Sequence, residues 1–146
     1  MKPKKRILLV GSNEIELGIL RFAIDNRLAF KATCAYSAEE ALGLLQPADF
    51  DLIVVKAPLE HSIVLLKRAA LINPAMSRLY LATGVEDRAL HILECDALGA
   101  YAISVAELIE RMGFLTARKR GPRKEGFRKP PQPEWFRLPA QEQVVA

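Results

Sequence analysis

Short apolar runs alternate with segments of helical periodicity along the first 117 residues of this chain. The apolar runs, which predict strands, cover residues 5–10, 30–35, 51–55, 78–82 and 100–103. Between them, apolar residues recur at intervals of three and four, which is the spacing of a helix with one buried face. Strands and helices that alternate with short connections favour a parallel sheet covered by helices on both sides.

Helix boundaries support this order of elements. Three residues that cap helices well each precede a glutamate by three positions, the spacing of a capping box. The pairs are Asn13 with Glu16, Ser37 with Glu40, and Ser104 with Glu107. Pro47, Pro74 and Gly99 are predicted to mark the ends of the second, third and fourth helices.

The predicted fold class is α/β, a doubly wound, flavodoxin-like parallel sheet of five strands with a C-terminal extension. Sites in such sheets lie at the carboxyl ends of the strands. This rule places a set of polar and small residues around one crevice. They are Gly11, Ser12, Lys56, Thr83 and Ser104.

Charge divides the chain into two parts. Residues 1–117 hold 13 Lys and Arg against 14 Asp and Glu, whereas residues 118–146 hold 8 against 3. We therefore expect one folded domain over residues 1–117 and a basic, proline-rich tail over residues 118–146. The basic tail favours an anionic partner.

Nothing in the sequence predicts a membrane or a secreted protein. Apolar runs fall short of the roughly 20 residues that a membrane-spanning helix needs. The basic residues 1–6 precede four apolar residues, too few for a secretory signal. We expect a cytoplasmic protein in which Cys34 and Cys95 are free, buried thiols.

Residues 5–117 resemble the receiver domain of response regulators. The resemblance rests on the runs Ile7–Val10 and Asp51–Lys56, and on Thr83 and Tyr101. In receivers the last residue of the third strand is the aspartate that accepts a phosphoryl group, and here it is Lys56.

The other positions of that pocket also differ from the family. Receivers carry two acidic residues that hold Mg²⁺ after the first strand, and here these are Gly11 and Ser12. The lysine that the family places after its fifth strand is Ser104. The resemblance thus implies a pseudo-receiver with no metal and no cofactor, and we do not expect an enzyme.

The role of Lys56 stays open between an ion pair and an anion site, because the helix that follows Ser12 offers free amides. Glu14 or Glu86 is a candidate partner for its ammonium. Tyr101 is expected to be a packed residue rather than a moving switch. His61 and His91 are expected at the surface or partly buried.

The tail allows several interpretations. Its basic residues Arg118, Lys119, Arg120, Arg123 and Lys124 could contact nucleic acid or a cyclic dinucleotide. Its aromatic residues Phe127, Trp135 and Phe136 predict docking, either on the body of this chain or on another protein.

The resemblance implies a phosphorylation-independent protein-interaction module in bacterial signal transduction, and homodimer formation is left open. The alternative is a nucleic-acid-binding accessory protein or a cyclic-dinucleotide effector that uses the basic tail.

Overall fold

The computed structural model of the protein describes residues 4–47 and 49–117. Five strands and five α-helices alternate along these residues. The strands are β1 (Lys5–Val10), β2 (Phe30–Ala35), β3 (Leu52–Lys56), β4 (Ser77–Ala82) and β5 (Ala97–Ala100). The α-helices are α1 (Glu14–Asp25), α2 (Ala38–Leu45), α3 (Ser62–Ile72), α4 (Val85–His91) and α5 (Val105–Ala117), and a 3₁₀ turn, Ile92–Glu94, follows α4.

All five strands are parallel and lie in the order β2-β1-β3-β4-β5. The central strand is β3, in which Val54 lies opposite Leu9 of β1 and Leu79 of β4. Residues 52–55 are at most 1% exposed, because helices cover both faces of the sheet. The strand order and the parallel pairing confirm the predicted flavodoxin-like α/β fold.

The two faces of the sheet have separate apolar cores. On one face the helices contribute Leu17, Leu20 and Ile24 of α1 with Leu108, Met112 and Leu115 of α5. On the other face they contribute Ala38, Ala41 and Leu45 of α2 with Leu65, Leu66 and Ala69 of α3. Among the described residues, none of the helices has the length and apolar character needed to cross a membrane.

The three predicted helix caps are confirmed. In each, the cap side chain accepts a hydrogen bond from the backbone amide three residues later, at 3.0–3.1 Å. The pairs are Asn13 with Glu16, Ser37 with Glu40, and Ser104 with Glu107. Free amides in the first turn of a helix need such partners, which explains why the helices begin where they do.

The predicted fifth strand was wrong in its position. β5 ends at Ala100, so Gly99 lies inside the strand instead of ending a helix. Tyr101 follows the strand and donates its amide to Ala82 O at 2.8 Å. The strand consists of small residues and one leucine, which give a weak strand signal, and a glycine usually predicts a break.

Gly99 is required by close packing. A Cβ at this position would lie 2.7 Å from Leu81 Cδ2 and 2.8 Å from Arg111 Nη1. Both side chains are buried, and Arg111 is further held by Glu107, whose carboxylate accepts from Nη2 at 2.7 Å. Neither side chain can therefore move aside freely.

Gly99→Ala is expected to lower the free energy of unfolding by about 1–3 kcal/mol, because the added methyl group overpacks this contact. Gly43→Ala is the matched control, since nothing lies within 4 Å of its Cβ position. In the middle of α2 it should stabilise by about 0.5–1 kcal/mol. Urea denaturation of both variants measures the difference, and equal midpoints would contradict the packing argument.

Candidate functional site

A pocket of about 270 Å³ lies at the carboxyl ends of β1 and β3, beside the turn that follows β5. It is lined by Gly11, Ser12, Asn13, Glu16, Leu17, Lys56, Ala57, Pro58 and Tyr101. The structure thus brings together three of the five residues that the sequence assigned to a crevice, Gly11, Ser12 and Lys56, and adds Tyr101 from the resembled receiver pocket. Thr83 and Ser104 do not line this pocket.

Lys56 ends the central strand and is 9% exposed. Its Nζ atom donates a hydrogen bond to Tyr101 O at 2.6 Å. The same atom lies 3.7 Å from the centroid of the Tyr101 ring, a cation–π contact. The ammonium is therefore held by a backbone carbonyl and an aromatic face, and both belong to one residue of the neighbouring turn.

Glu16 completes this arrangement from the first turn of α1. Tyr101 Oη donates to its two carboxylate oxygens, at 2.9 and 2.7 Å. The acidic neighbour of Lys56 is therefore Glu16, whereas the sequence suggested Glu14 or Glu86. The signal was present, because Glu16 is the third residue after the Asn13 cap and lies in the turn next to the crevice.

These contacts shift the protonation of both partners. Burial lowers the pKa of Lys56, and the Glu16 carboxylate opposes that effect. The hydrogen bond to Glu16 raises the pKa of the Tyr101 hydroxyl, and burial adds to the increase. The pocket thus holds an ammonium, a phenol and a carboxylate in one connected group.

Gly11 and Ser12 shape the floor of the pocket. A Cβ on Gly11 would lie 3.4 Å from Leu17 Cδ2 and 3.4 Å from Lys56 O, so the two strand ends approach closely there. The Ser12 hydroxyl donates to Pro58 O at 3.0 Å. The hydroxyl thereby joins the loops that follow β1 and β3.

Thr83 is exposed and belongs to a different set of contacts. Its amide and its hydroxyl both donate to Asp87 Oδ2, at 2.9 and 3.3 Å. Asp87 lies in the first turn of α4, so the end of β4 is joined to that helix. Ser104 likewise serves a helix, as the cap of α5.

A buried polar network between α3, α4 and β4 was not predicted. His91 Nε2 lies 2.6 Å from Ser62 Oγ, and Nδ1 lies 2.9 Å from Asp87 O. Tyr80 donates its hydroxyl to the Asp87 carboxylate at 2.9 Å and stacks on the His91 ring with 3.7 Å between centroids. The network connects α3, α4 and β4.

The expectation that both histidines lie at the surface or partly buried is wrong for His91, which is 4% exposed. His61 is exposed, with Glu60 3.8 Å from its Nε2 atom. A signal for the buried histidine was available in the spacing of Asp87 and His91, which lie on one face of a helix at i and i+4.

The two thiols differ in exposure. Cys95 is buried, and burial raises its pKa to about 12, so it is an unreactive thiol. Cys34 is only partly buried, and its Sγ atom donates to Leu17 O at 3.7 Å. Both are free, and the predicted burial is confirmed for Cys95, whereas Cys34 is buried only in part.

The residues of the pocket do not fit the Mg²⁺ ion that the resemblance to receivers implies. Magnesium needs carboxylate or phosphate oxygens, and Gly11 and Ser12 supply no carboxylate. The Glu16 carboxylate that lines the pocket accepts from Tyr101 Oη with both oxygens. The Lys56 ammonium lines the same pocket and would repel a bound cation. Among residues 4–47 and 49–117, the structure shows no group of three or more His, Cys, Asp and Glu side chains placed to hold a metal ion.

The predicted tail sites lie outside the described residues. These are the basic residues Arg118, Lys119, Arg120, Arg123 and Lys124 and the aromatic residues Phe127, Trp135 and Phe136.

Glu16→Gln is expected to lower the pKa of Tyr101 toward the ordinary tyrosine value of 10.0, because the carboxylate that opposes ionisation is gone. Ultraviolet difference titration of tyrosinate measures the shift, and Tyr101→Phe identifies which transition belongs to this residue. Glu14→Gln, an exposed change in the same turn, is the control. Equal titrations of the two glutamine variants would contradict the contact.

Lys56→Met is expected to change how stability depends on pH. The pKa of Lys56 is lower in the folded protein than its ordinary 10.5, so the unfolded chain binds more protons between the two values. The wild type should therefore gain stability relative to Lys56→Met as the pH rises through this window. Urea denaturation across the window measures this gain, with the exposed-site variant Lys31→Met as control. A constant difference would contradict the burial of the ammonium.

Comparison with solved structures identifies the fold to which this domain is similar. No protein-family model matches the sequence, and no curated protein matches it. Solved structures do match. A CheY-like receiver domain from Methanospirillum hungatei JF-1 has a TM-score of 0.72 at 19% identity, and the match covers 79% of this chain and 95% of that chain.

Two further structures agree. The signal receiver domain of an HD domain-containing protein from Pseudomonas fluorescens Pf-5 has a TM-score of 0.72 at 24% identity, over 80% of this chain and 90% of that chain. The non-phosphorylated HemR receiver domain from Leptospira biflexa has a TM-score of 0.71 at 22% identity, over 82% of this chain and all of that chain, 100%. The chain therefore has the fold of the CheY-like response-regulator receiver domains.

Proposed function

We propose that this chain is a signalling domain that acts through protein contacts and does not depend on phosphorylation. One observation carries the proposal. Lys56 occupies the strand end where the receivers that the sequence resembles have their phosphoacceptor, and its Nζ atom is bonded to Tyr101 O at 2.6 Å. An ammonium cannot form an acyl phosphate.

The surrounding contacts support the proposal. In the receivers that this sequence resembles, a hydroxyl residue turns toward the phosphate and an aromatic residue moves with it. Here Thr83 is engaged by Asp87, and Tyr101 is held by Lys56 on one side and by Glu16 on the other. A conformational equilibrium shifts only when something binds its states unequally. Without a phosphoacceptor at Lys56, a phosphoryl group would not supply that difference.

Exposed apolar side chains favour protein partners. On α4 and the turn after it, Val85, Leu90 and Leu93 are 64–81% exposed. Apolar side chains that gather on one surface often mark an interaction site. The solved receiver domains of similar fold are components of signalling proteins by name, which supports the same reading for this chain.

The charge of the tail favours a second candidate. Five of the seven residues from Arg118 to Lys124 are basic, a pattern suited to phosphate groups. Binding of generic DNA that weakens steeply with added salt would favour a nucleic-acid partner. Saturable binding of a cyclic dinucleotide that Arg120→Ser or Arg123→Ser abolishes would favour the effector alternative.

Incubation with acetyl phosphate and Mg²⁺ is expected to leave the protein unmodified. Lys56→Asp should also remain unmodified, because Gly11 and Ser12 still offer the metal no carboxylate. Intact-mass spectrometry measures the outcome, and a receiver that retains its aspartate serves as the positive control. A stable single phosphoryl group on an aspartate of the wild type would overturn the proposal.

In the Lys56→Asp variant the same mass shift would have a narrower meaning. It would show that another carboxylate, such as Glu16, can hold the metal once the ammonium is removed. The wild-type protein would then still lack an acceptor.

A further inference from the structure

The outward face of α1 is apolar along most of its length. Ile15 is 77% exposed, Ile19 is 60% exposed and Phe22 is 71% exposed, at the i, i+4 and i+7 positions of one helical stripe. Leu28, just beyond the helix, is 89% exposed. We call these four residues the α1 stripe.

The stripe is not explained by the packing of the domain. The helix already buries Leu17, Leu20 and Ile24 against the sheet, and a helix at a protein surface normally presents polar residues on its opposite side. An apolar stripe on the solvent side indicates a surface that something covers.

The direction of the chain favours its own C-terminal segment. α1 and α5 pack on the same face of the sheet, where they share one core. The end of α5 lies at the edge where the strands begin, because Ser77, the first residue of β4, donates its hydroxyl to Leu115 O. The end of α1 lies at that edge as well, since Ala29 O accepts from Lys5 N at the start of β1. The chain therefore leaves Ala117 at the same edge of the sheet, and on the same face, as the end of α1.

The composition of the segment fits the surface. Residues 118–146 are 29 residues with a net charge of +5, whereas α1 carries Glu14, Glu16 and Asp25 against the single Arg21. The apolar side chains of the segment include Phe127, Trp135, Phe136 and Leu138. Opposite charges at the rim of an apolar contact favour docking.

Length is no obstacle. The ten residues from Ala117 to Phe127 can span up to about 33 Å when extended, and the twelve residues of α1 measure about 18 Å. The aromatic residues around Trp135 can therefore reach any part of the stripe. Helix α4 lies beside α3, since His91 Nε2 is 2.6 Å from Ser62 Oγ, and α3 packs on the opposite face of the sheet from α5.

We infer that residues 118–146 dock on the α1 stripe of the same molecule and place Trp135 and its aromatic neighbours against Ile15, Ile19 and Phe22. The inference goes beyond the proposed function and stands whether or not the pocket can be phosphorylated. The docked segment would cover the stripe and hold the basic residues 118–124 near the acidic side chains of α1. The stripe and the tail would then become available to partners together.

Trp135 is the single tryptophan of the chain, so its fluorescence reports on this contact in the unlabelled full-length protein. We expect an emission maximum at shorter wavelength than that of N-acetyltryptophanamide in the same buffer, and weaker quenching by acrylamide. Ile19→Ser combined with Phe22→Ser should return both signals toward the free values. Circular dichroism and urea denaturation verify that this variant stays folded, as expected for changes at exposed positions.

The matched control is Val64→Ser combined with Leu71→Ser, which alters two exposed apolar residues of α3 on the other face. It should leave the emission of Trp135 unchanged. Free-like emission in the wild type, or an equal effect of the two double variants, would overturn the inference. An emission shift that disappears on dilution would also overturn it, because the stripe would then be covered by a second copy.

Discussion

A lysine ammonium at the end of the central strand sets the arrangement of this pocket. Lys56 is almost fully enclosed, and a charged group removed from water is costly unless other polar groups replace its hydration. The carbonyl and the ring of Tyr101 both take the place of water around the ammonium, and the Glu16 carboxylate favours its charged form. The turn after β5 must therefore keep the backbone of Tyr101 directed at β3.

The position of Tyr101 depends in turn on contacts of β5 and α5. Tyr101 can face Lys56 because β5 ends at Ala100, and β5 can lie close to α5 because Gly99 leaves room for Arg111 and Leu81. The α5 helix then begins at its Ser104 cap.

Much of the fold could be predicted from residue patterns because those patterns record local physics. The buried run of β3 and the three helix caps depend on neighbouring residues along the chain, and they were found where expected. The position of β5 was missed because its small residues give a weak strand signal, and Gly99 is required by contacts with Leu81 and Arg111, which lie elsewhere in the sequence. Neither an alternation of polar and apolar residues nor a capping pattern can predict the contact of Gly99 with Arg111.

The pocket shows the same division between local and distant causes. Lys56 and Gly11 were identified from their places at strand ends, whereas the pairing of Glu16 with Tyr101 joins residues that are 85 positions apart. The network of Ser62, Asp87 and His91 was missed for this reason as well, since the bond between Ser62 and His91 spans 29 positions. Residue type suggests which groups can bond, and the fold decides which of them meet.

The α1 helix connects these observations, because three of its faces have different neighbours. One face buries Leu17 and Ile24 in the core, the first turn directs Glu16 to Tyr101, and the solvent side carries Ile19 and Phe22. A partner can shift the helix between two positions only if it binds those positions with different affinities. Because Lys56, Tyr101 and Glu16 are bonded to one another in the crevice, the proposed function assigns partner binding to exposed apolar surfaces such as the outer side of α1.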